Sequence, residues 1–220
     1  MKKRGLLLLI LISTVLIGGI VGRLLWKPDP TELLTHGLEQ ISQATSFRYS
    51  MTQHQWVEGK DRVLTQILGE KDGVNTRISG KLVGTEIEMI LAGEGFYMQD
   101  PFTKRWVRYP SVPATQEVFL AELNPRSSLQ FKELGEVKLR GQEKLNDQKT
   151  WVIGFKPSVM NQIMEEGWTD FSYIMSIGKK DRLIHRVGIE AKSKTNNQTM
   201  SITLEFKDYG QKLNISVPNL

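Results

Sequence analysis

The sequence predicts an α+β protein in which an antiparallel β-sheet of about eleven strands and three or four helices follows an N-terminal transmembrane helix. Three observations predict this class. Residues 5–22 form an uncharged apolar run, residues 31–44 carry apolar side chains at helical spacing, and most of the chain after Phe47 alternates between apolar and polar residues. Alternation with period two gives each strand one wet and one dry face, which is typical of antiparallel sheets.

The apolar run has the length of a membrane span. Its eighteen residues would cover roughly 27 Å as a helix, close to the ~30 Å hydrocarbon core of a bilayer. Leu24, Leu25 and Trp26 can add a last turn at the interface, so we assign residues 5–26 to a signal anchor. The stretch IGGIVGRLLW is a poor cleavage site, and secretion after cleavage is therefore the alternative.

The positive charges at the N-terminus orient this anchor. Lys2, Lys3 and Arg4 form a basic segment at residues 1–4 that is expected to remain in the cytoplasm, which places the domain after Lys27 outside the cell membrane. With Arg23 they account for four of the five net positive charges. The remainder of the chain is nearly neutral, so its composition excludes a nucleic-acid-binding surface.

The chain contains no cysteine. This excludes disulfides, thiolate metal sites, a cysteine nucleophile and the acylated cysteine that tethers a bacterial lipoprotein. Attachment to the membrane therefore depends on the predicted helix.

A short linker, residues 27–30, leads into the extracytoplasmic domain, residues 31–220. Asp29 is a suitable N-cap and Pro30 a suitable first helical residue. Leu34, Leu38 and Ile41 then form an apolar stripe, which predicts a helix ending near Ala44.

The strands that follow are separated by short turn signals. Glu58-Gly59-Lys60-Asp61, Lys71-Asp72-Gly73 and Val83-Gly84 divide the first half into hairpins. Residues 94–110, EGFYMQDPFTKRWVRYP, are interpreted as another hairpin, because Phe96 and Met98 continue the alternation and Asp100-Pro101 favours a turn. A binding or catalytic loop is the alternative for this stretch.

The second half combines helices and strands. Residues 115–134 predict short helices that cover a sheet face, with further helical turns around Leu129, Phe131 and Leu134. Another short helix, presenting Met160, Ile163 and Met164 on one face, is expected between Pro157 and Gly167. Strands are predicted around it, the last of them at Leu213, Ile215 and Val217.

Catalytic and metal-binding patterns are absent from the sequence. His36, His54 and His185 have no ligand spacing, no G-x-S-x-G occurs, and Glu86 and Glu88 share a solvent face of one strand. We therefore predict a protein that is not an enzyme and has no cofactor or metal.

Seven methionines beyond the initiator lie mostly on the predicted dry faces. They could fill gaps in an ordinary core, or they could line a cavity for an acyl chain, because methionine adapts to variable apolar shapes. On the second interpretation the cavity residues would be Tyr49, Met51, Met89, Phe96, Met98, Phe119, Leu123, Met160, Met164, Met175 and Met200.

Several stretches resemble the LolA/LppX-like superfamily of extracytoplasmic proteins, which includes outer-membrane lipoprotein carriers and domains of envelope-stress regulators. They are the helix TELLTHGLEQISQATS, the strand beginning FRYSMTQ, the hairpin GFYMQDPFTKRWVRY and the terminal LEFKDYGQKLNISVP. The resemblance implies a curved antiparallel half-barrel with helices on its concave apolar face, which receives lipid in the carriers. This chain differs in lacking the lipobox cysteine and a convincing cleavage site.

Two functions are consistent with the sequence. The first is a membrane-anchored module that binds the acyl chain of a lipid or lipoprotein in the half-barrel. The alternative is a sensor or interaction domain that contacts an envelope protein, or anionic head groups, through Lys104, Arg105, Trp106, Arg108 and Tyr109.

Overall fold

A computed structural model describes residues 27–93, 95–112 and 120–220. The predicted membrane anchor at residues 5–26 lies outside these residues. In the described part of the chain, no helix combines the length and the apolar character needed to cross a membrane.

The first helix begins where the capping residues predict. Helix α1 spans Pro30–Gln43, and the Asp29 carboxylate accepts hydrogen bonds from the amides of Thr31 and Glu32 at 2.8 and 2.9 Å. These contacts satisfy two of the amides that a helix N-terminus leaves without intrahelical partners.

Eleven strands of the described chain form one sheet in which every neighbouring pair is antiparallel. The strands are β1 (Ser46–Val57), β2 (Lys60–Asp72), β3 (Asn75–Leu82), β4 (Thr85–Ala92), β5 (Gly95–Gln99), β6 (Trp106–Tyr109), β8 (Lys138–Leu145), β9 (Gln148–Phe155), β11 (Trp168–Gly178), β12 (Ile184–Ser193) and β13 (Thr199–Lys207). Their order in the sheet is β6-β5-β4-β3-β2-β1-β13-β12-β11-β9-β8. The antiparallel sheet predicted from the alternating pattern is confirmed.

One face of this sheet, the inner face, packs against α1. Leu33, Leu34 and Ile41 of the helix are buried in the same apolar cluster as the inner-face side chains of the strands. Gly37 lets the helix approach closely, because a Cβ there would lie 3.1 Å from Cγ1 of Ile184. Burial of each large apolar side chain contributes roughly 1.5–3 kcal/mol, and the contacts of α1 fix the position of the inner face.

The predicted hairpin at residues 94–110 is confirmed in its described residues. Strands β5 and β6 pair in register from Phe96 opposite Tyr109 to Gln99 opposite Trp106. Between them, the Asp100 carboxylate accepts hydrogen bonds from the amides of Phe102 and Thr103 and from the Thr103 hydroxyl. This stretch is therefore an ordered connection between two strands.

The helical segment after Tyr109 is shorter than predicted within the described residues. Residues 120–123 are helical and Ser127–Leu129 form a 3-10 turn, but Phe131–Glu133 form strand β7 instead of a further helical turn. Strand β7 pairs with β10 (Ser158–Val159) in a separate two-stranded sheet. Phe131 still packs on the main core from this strand, partly buried against the rings of Phe155 and Tyr173.

The predicted last strand, at Leu213, Ile215 and Val217, is wrong. No strand is assigned after Lys207, because the Leu213 amide donates to the Asp72 carboxylate at 2.9 Å instead of to a neighbouring strand. Ile215 packs on the outer face of the sheet, against a small cluster of Ile90, Ala92 and Tyr97. The C-terminal segment thus covers part of the face opposite α1.

Candidate functional site

An apolar cavity of about 280 Å³ lies between the inner face of strands β1 to β5 and the residues 120–125. The strand residues that line the cavity come from consecutive hairpins, so the cavity extends across several strands of the sheet. The described residues that line it are Phe47, Tyr49, Lys71, Val74, Thr76, Ile78, Met89, Leu91, Phe96, Leu120, Ala121, Asn124 and Pro125.

The strand register explains why these side chains meet. Ile78 of β3 lies opposite Met89 of β4, Thr76 lies opposite Leu91, and Leu91 lies opposite Phe96 of β5. Directly opposed residues of antiparallel strands point to the same face. The alternation in sequence therefore becomes a continuous apolar wall across three strands.

Tyr49 connects this wall to the segment that covers it. Its hydroxyl donates a 2.8 Å hydrogen bond to the carbonyl oxygen of Leu123, and the ring is buried. Burial raises the pKa of Tyr49, which keeps the hydroxyl protonated as a donor. The ring occupies the space above Gly69, where a Cβ would lie 2.0 Å from ring carbons, so glycine at that position is required by the tyrosine.

The cavity opens toward solvent at one end. Val74 and Leu91, which both line it, expose 79 % and 37 % of their surface. Lys71 also lines the cavity, and its ammonium group donates a 2.9 Å hydrogen bond to the carbonyl oxygen of Gly73. The site thus combines a buried apolar interior with an accessible entrance that carries a cation.

The predicted cavity residues fall into several groups. Tyr49, Met89 and Phe96 line the cavity. Met98 is partly buried against the main core, and Phe119 lies outside the described residues. The remaining buried members belong to the main core and do not line the cavity, which is what the gap-filling interpretation expects of the methionines. They are Met51, Leu123, Met164, Met175 and Met200.

Met160 does not share a helix face with Met164. Helix α2 spans Gln162–Gly167, and its N-cap is Asn161, whose side chain accepts a hydrogen bond from the Met164 amide at 2.9 Å. Met160 therefore precedes the helix, and it exposes 55 % of its surface whereas Met164 exposes 5 %. The helical periodicity placed both residues inside, but the cap shifts the start of the helix beyond Met160.

The five residues predicted to contact a partner do not form one surface. Trp106 packs against the outer cluster of Ile90, Ala92 and Tyr97, whereas Tyr109 packs against the main core, 5.9 Å from the ring of Phe96. Residues three apart on a strand point to opposite faces, and this separates the two aromatic rings. Lys104 pairs with Glu86 at 2.5 Å, while Arg105 and Arg108 are exposed.

The sequence signals for the other lining residues are weaker. Thr76, Ile78 and Leu91 occupy alternating positions in the sequence, but they are neither methionines nor aromatic residues and so are not among the predicted cavity residues. Lys71 belongs to a turn signal, and Asn124-Pro125 is a local pattern typical of a helix end. Their place at the cavity depends on how the chain returns over the sheet, which local patterns do not contain.

The described residues hold no group of three or more histidine, aspartate or glutamate side chains arranged to bind a metal. The described residues that line the cavity offer apolar contact, hydrogen bonding and one positive charge.

Comparison with known proteins gives matches at the level of structure. No family model and no curated protein sequence matches the chain. Among solved structures, the Mycobacterium tuberculosis lipoprotein LppX superposes with a TM-score of 0.56 at 12 % identity, over 86 % of this chain and 100 % of that one. LprF from Mycobacterium bovis gives a TM-score of 0.56 at 12 % identity, over 88 % and 99 % of the two chains.

The chain has a LolA/LppX-like fold. The fold implied by the sequence resemblance is thus confirmed over nearly the whole of the LppX and LprF chains. A LolA superfamily protein from Nitrosomonas europaea also matches, with a TM-score of 0.35 at 10 % identity over 87 % of this chain and 96 % of that one. The likeness to LppX and LprF, at 12 % identity, shows the fold alone, so the function must be argued from the cavity.

Proposed function

We propose that this protein is a membrane-anchored, extracytoplasmic and non-enzymatic module that binds the apolar chain of a lipid or lipoprotein in the inner-face cavity. The observation that carries the proposal is the cavity itself, whose wall is formed by Ile78, Met89 and Phe96 and whose entrance exposes Leu91. A wall of this kind favours hydrocarbon, because burial of apolar surface is the main source of binding free energy available there.

The volume of the cavity limits the size of the ligand. About 280 Å³ is near the lower end of the ~300–1,000 Å³ range of small-molecule sites. One acyl chain, or part of one, matches this space better than a lipid with several chains. Residues 120–125, held by the hydrogen bond between Tyr49 and Leu123, would cover the bound chain.

The predicted anchor determines what such a module can do. A domain held by residues 5–26 cannot carry a ligand between two membranes, and the absent cysteine removes the usual lipoprotein tether. The proposal is therefore local capture or presentation of an acyl chain at the membrane that holds the domain, rather than transport.

Two matched tryptophan substitutions test the proposal. Leu91→Trp places a large ring at the cavity entrance on β4, whereas Leu68→Trp places the same ring on β2, two strands away in the sheet, where Leu68 is exposed and does not line the cavity. The full-length wild type and both variants would be purified in the same non-ionic detergent, and bound lipid would be measured by solvent extraction and mass spectrometry.

We expect a lipid at a constant ratio to protein in the wild type and in Leu68→Trp, and a loss of at least about tenfold in Leu91→Trp, since the ring fills the space of the chain. Equal unfolding temperatures of the two variants would show that the fold is retained. Equal lipid content in all three proteins would refute binding in this cavity.

A further inference from the structure

Two cations lie at one end of the apolar cavity. Lys71 lines the cavity, and only one of its three ammonium protons has an acceptor among the described residues, the carbonyl oxygen of Gly73. Arg126 directly follows the lining residues Asn124 and Pro125, and its guanidinium lies 5.0 Å from the centre of the Phe47 ring. Phe47 also lines the cavity, so Lys71 lies in the lining itself and Arg126 lies over one of the rings that form it.

Arg126 is incompletely paired within the described chain. Its Nη2 donates to the carbonyl oxygen of Ala44, but its Nε is buried and has no hydrogen-bond partner. A buried donor without an acceptor costs about 1–3 kcal/mol. Such an atom in a native structure indicates a missing acceptor, and a ligand can supply one.

No carboxylate of the described residues forms an ion pair with either cation. The acidic side chains close to them in sequence or across the strands have other partners. Glu70 and Asp208 pair with Arg48, Asp72 accepts from the Leu213 amide, and Glu122 accepts from the Asn161 side chain.

The two cations also influence each other. Burial lowers the pKa of Lys71, and the charge of Arg126 lowers it further, while burial lowers the pKa of Arg126. Two like charges that are partly desolvated and lack a counter-ion destabilise each other, and a bound anion would remove that cost.

We propose that Lys71 and Arg126 bind the anionic head group of an amphiphile whose hydrocarbon chain occupies the cavity. This inference rests on the proposed function and names the class of ligand: a single chain ending in a carboxylate or phosphate, with a fatty acid as the simplest member. The lysine supplies free ammonium protons at the entrance. The arginine supplies positive charge over the Phe47 ring.

A pair of ligands that differ only in the head group tests this assignment. Binding of palmitate and of 1-hexadecanol would be measured on the full-length chain in one non-ionic detergent, for the wild type, Lys71→Gln and Lys60→Gln. Lys60 is exposed at the opposite end of the same strand β2, and its substitution removes the same charge. Micelles take up each ligand equally for every protein, so the ratios between proteins remain meaningful.

We expect Lys71→Gln to weaken palmitate binding by about 5- to 20-fold, which corresponds to one charge-assisted hydrogen bond, and to leave hexadecanol binding unchanged. Lys60→Gln should change neither ligand, and Lys71→Arg should restore most of the palmitate affinity. Arg126 is not substituted first, because its contacts with Ala44 and Phe47 also hold the covering segment.

The two proposals fail in different ways. If both ligands bind equally well to the wild type and Lys71→Gln changes neither, the head-group site is refuted and the apolar cavity is retained. If neither ligand binds, the proposed function itself is refuted. Sodium acetate and inorganic phosphate should not displace palmitate at millimolar concentration. Displacement by either would refute a site that recognises the head group and the chain together.

Discussion

The substitution Gly69→Ala tests the contact that joins the sheet to the segment covering the cavity. Gly69 of β2 lies opposite Tyr49 of β1, and a Cβ at this position would approach the tyrosine ring to 2.0 Å. The ring has little room to move, because it lies 6.1 Å from the ring of Phe47 and its hydroxyl is bonded to the Leu123 carbonyl.

The expected cost follows from these contacts. Overpacking of a core position costs about 1–3 kcal/mol. A displaced hydroxyl leaves the buried Leu123 carbonyl without its partner, which adds about 1–3 kcal/mol. The reduced entropy of the unfolded alanine chain offsets up to about 1 kcal/mol. We therefore expect the free energy of unfolding to fall by about 1–6 kcal/mol, and the unfolding temperature by at least about 2 °C.

Gly188→Ala is the matched control. Gly188 also lies within a strand, β12, but a Cβ there meets only the carbonyl oxygen of Ile174, at 3.9 Å. Its substitution should leave stability unchanged or raise it by up to about 1 kcal/mol. Both variants would be measured by urea unfolding of the full-length chain in detergent, followed by far-UV circular dichroism.

A double-mutant cycle distinguishes the clash from a general intolerance of alanine in β2. With Tyr49→Ala as background, Gly69→Ala should cost close to nothing, so the coupling energy between the two positions should exceed about 1 kcal/mol. If Gly69→Ala is as stable as Gly188→Ala, or costs the same with and without the tyrosine ring, the described contact between Tyr49 and β2 is refuted.

Two further predictions concern the helix α2 and its neighbour Glu122. Met164→Ala should lower the free energy of unfolding by about 2–5 kcal/mol, whereas Met160→Ala should stay within about 0.5 kcal/mol, because only Met164 is buried; equal costs in urea unfolding would contradict the placement of the N-cap. Burial raises the pKa of Glu122 above its ordinary value of 4.5, and the hydrogen bond from Asn161 opposes this only in part. The folded state then holds the proton more tightly than the unfolded state, so stability present below pH 4.5 is lost as the pH rises through the raised pKa. Glu122→Gln should lose less stability than the wild type as the pH rises through the raised pKa of Glu122. Identical profiles of stability against pH for the two proteins would rule out the raised pKa.

The sheet could be predicted where side chains alternate cleanly. Phe47, Tyr49 and Met51 define an inner face of β1 from sequence alone, and Asp29 defines the start of α1. Strand β2 gives a poorer pattern, because its buried positions include Thr65 and Gly69 while Leu68 is exposed. The glycine is explained by the ring of Tyr49, a contact between strands that no single strand reveals.

The site was predictable in part for the same reason. Met89 and Phe96 can be identified from the sequence, because apolar residues on adjacent strands of a meander share a face. Lys71, Asn124 and Pro125 have local patterns that indicate turns and helix ends, and only the path of the chain over the sheet brings them to the cavity. Trp106 and Tyr109 are close in sequence, which predicts a single surface patch. The strand instead places the two side chains on opposite faces of the sheet.

Photo-crosslinking tests the central claim, that an acyl chain occupies the inner-face cavity, most directly. A palmitate analogue with a diazirine in mid-chain would be bound to the full-length protein, irradiated, and located by peptide mass spectrometry. We predict labels on the peptides that contain Met89, Phe96 and Ala121, and their loss in Leu91→Trp but not in Leu68→Trp. Labels confined to the outer face around Leu68, or a pattern that Leu91→Trp does not change, would contradict the account.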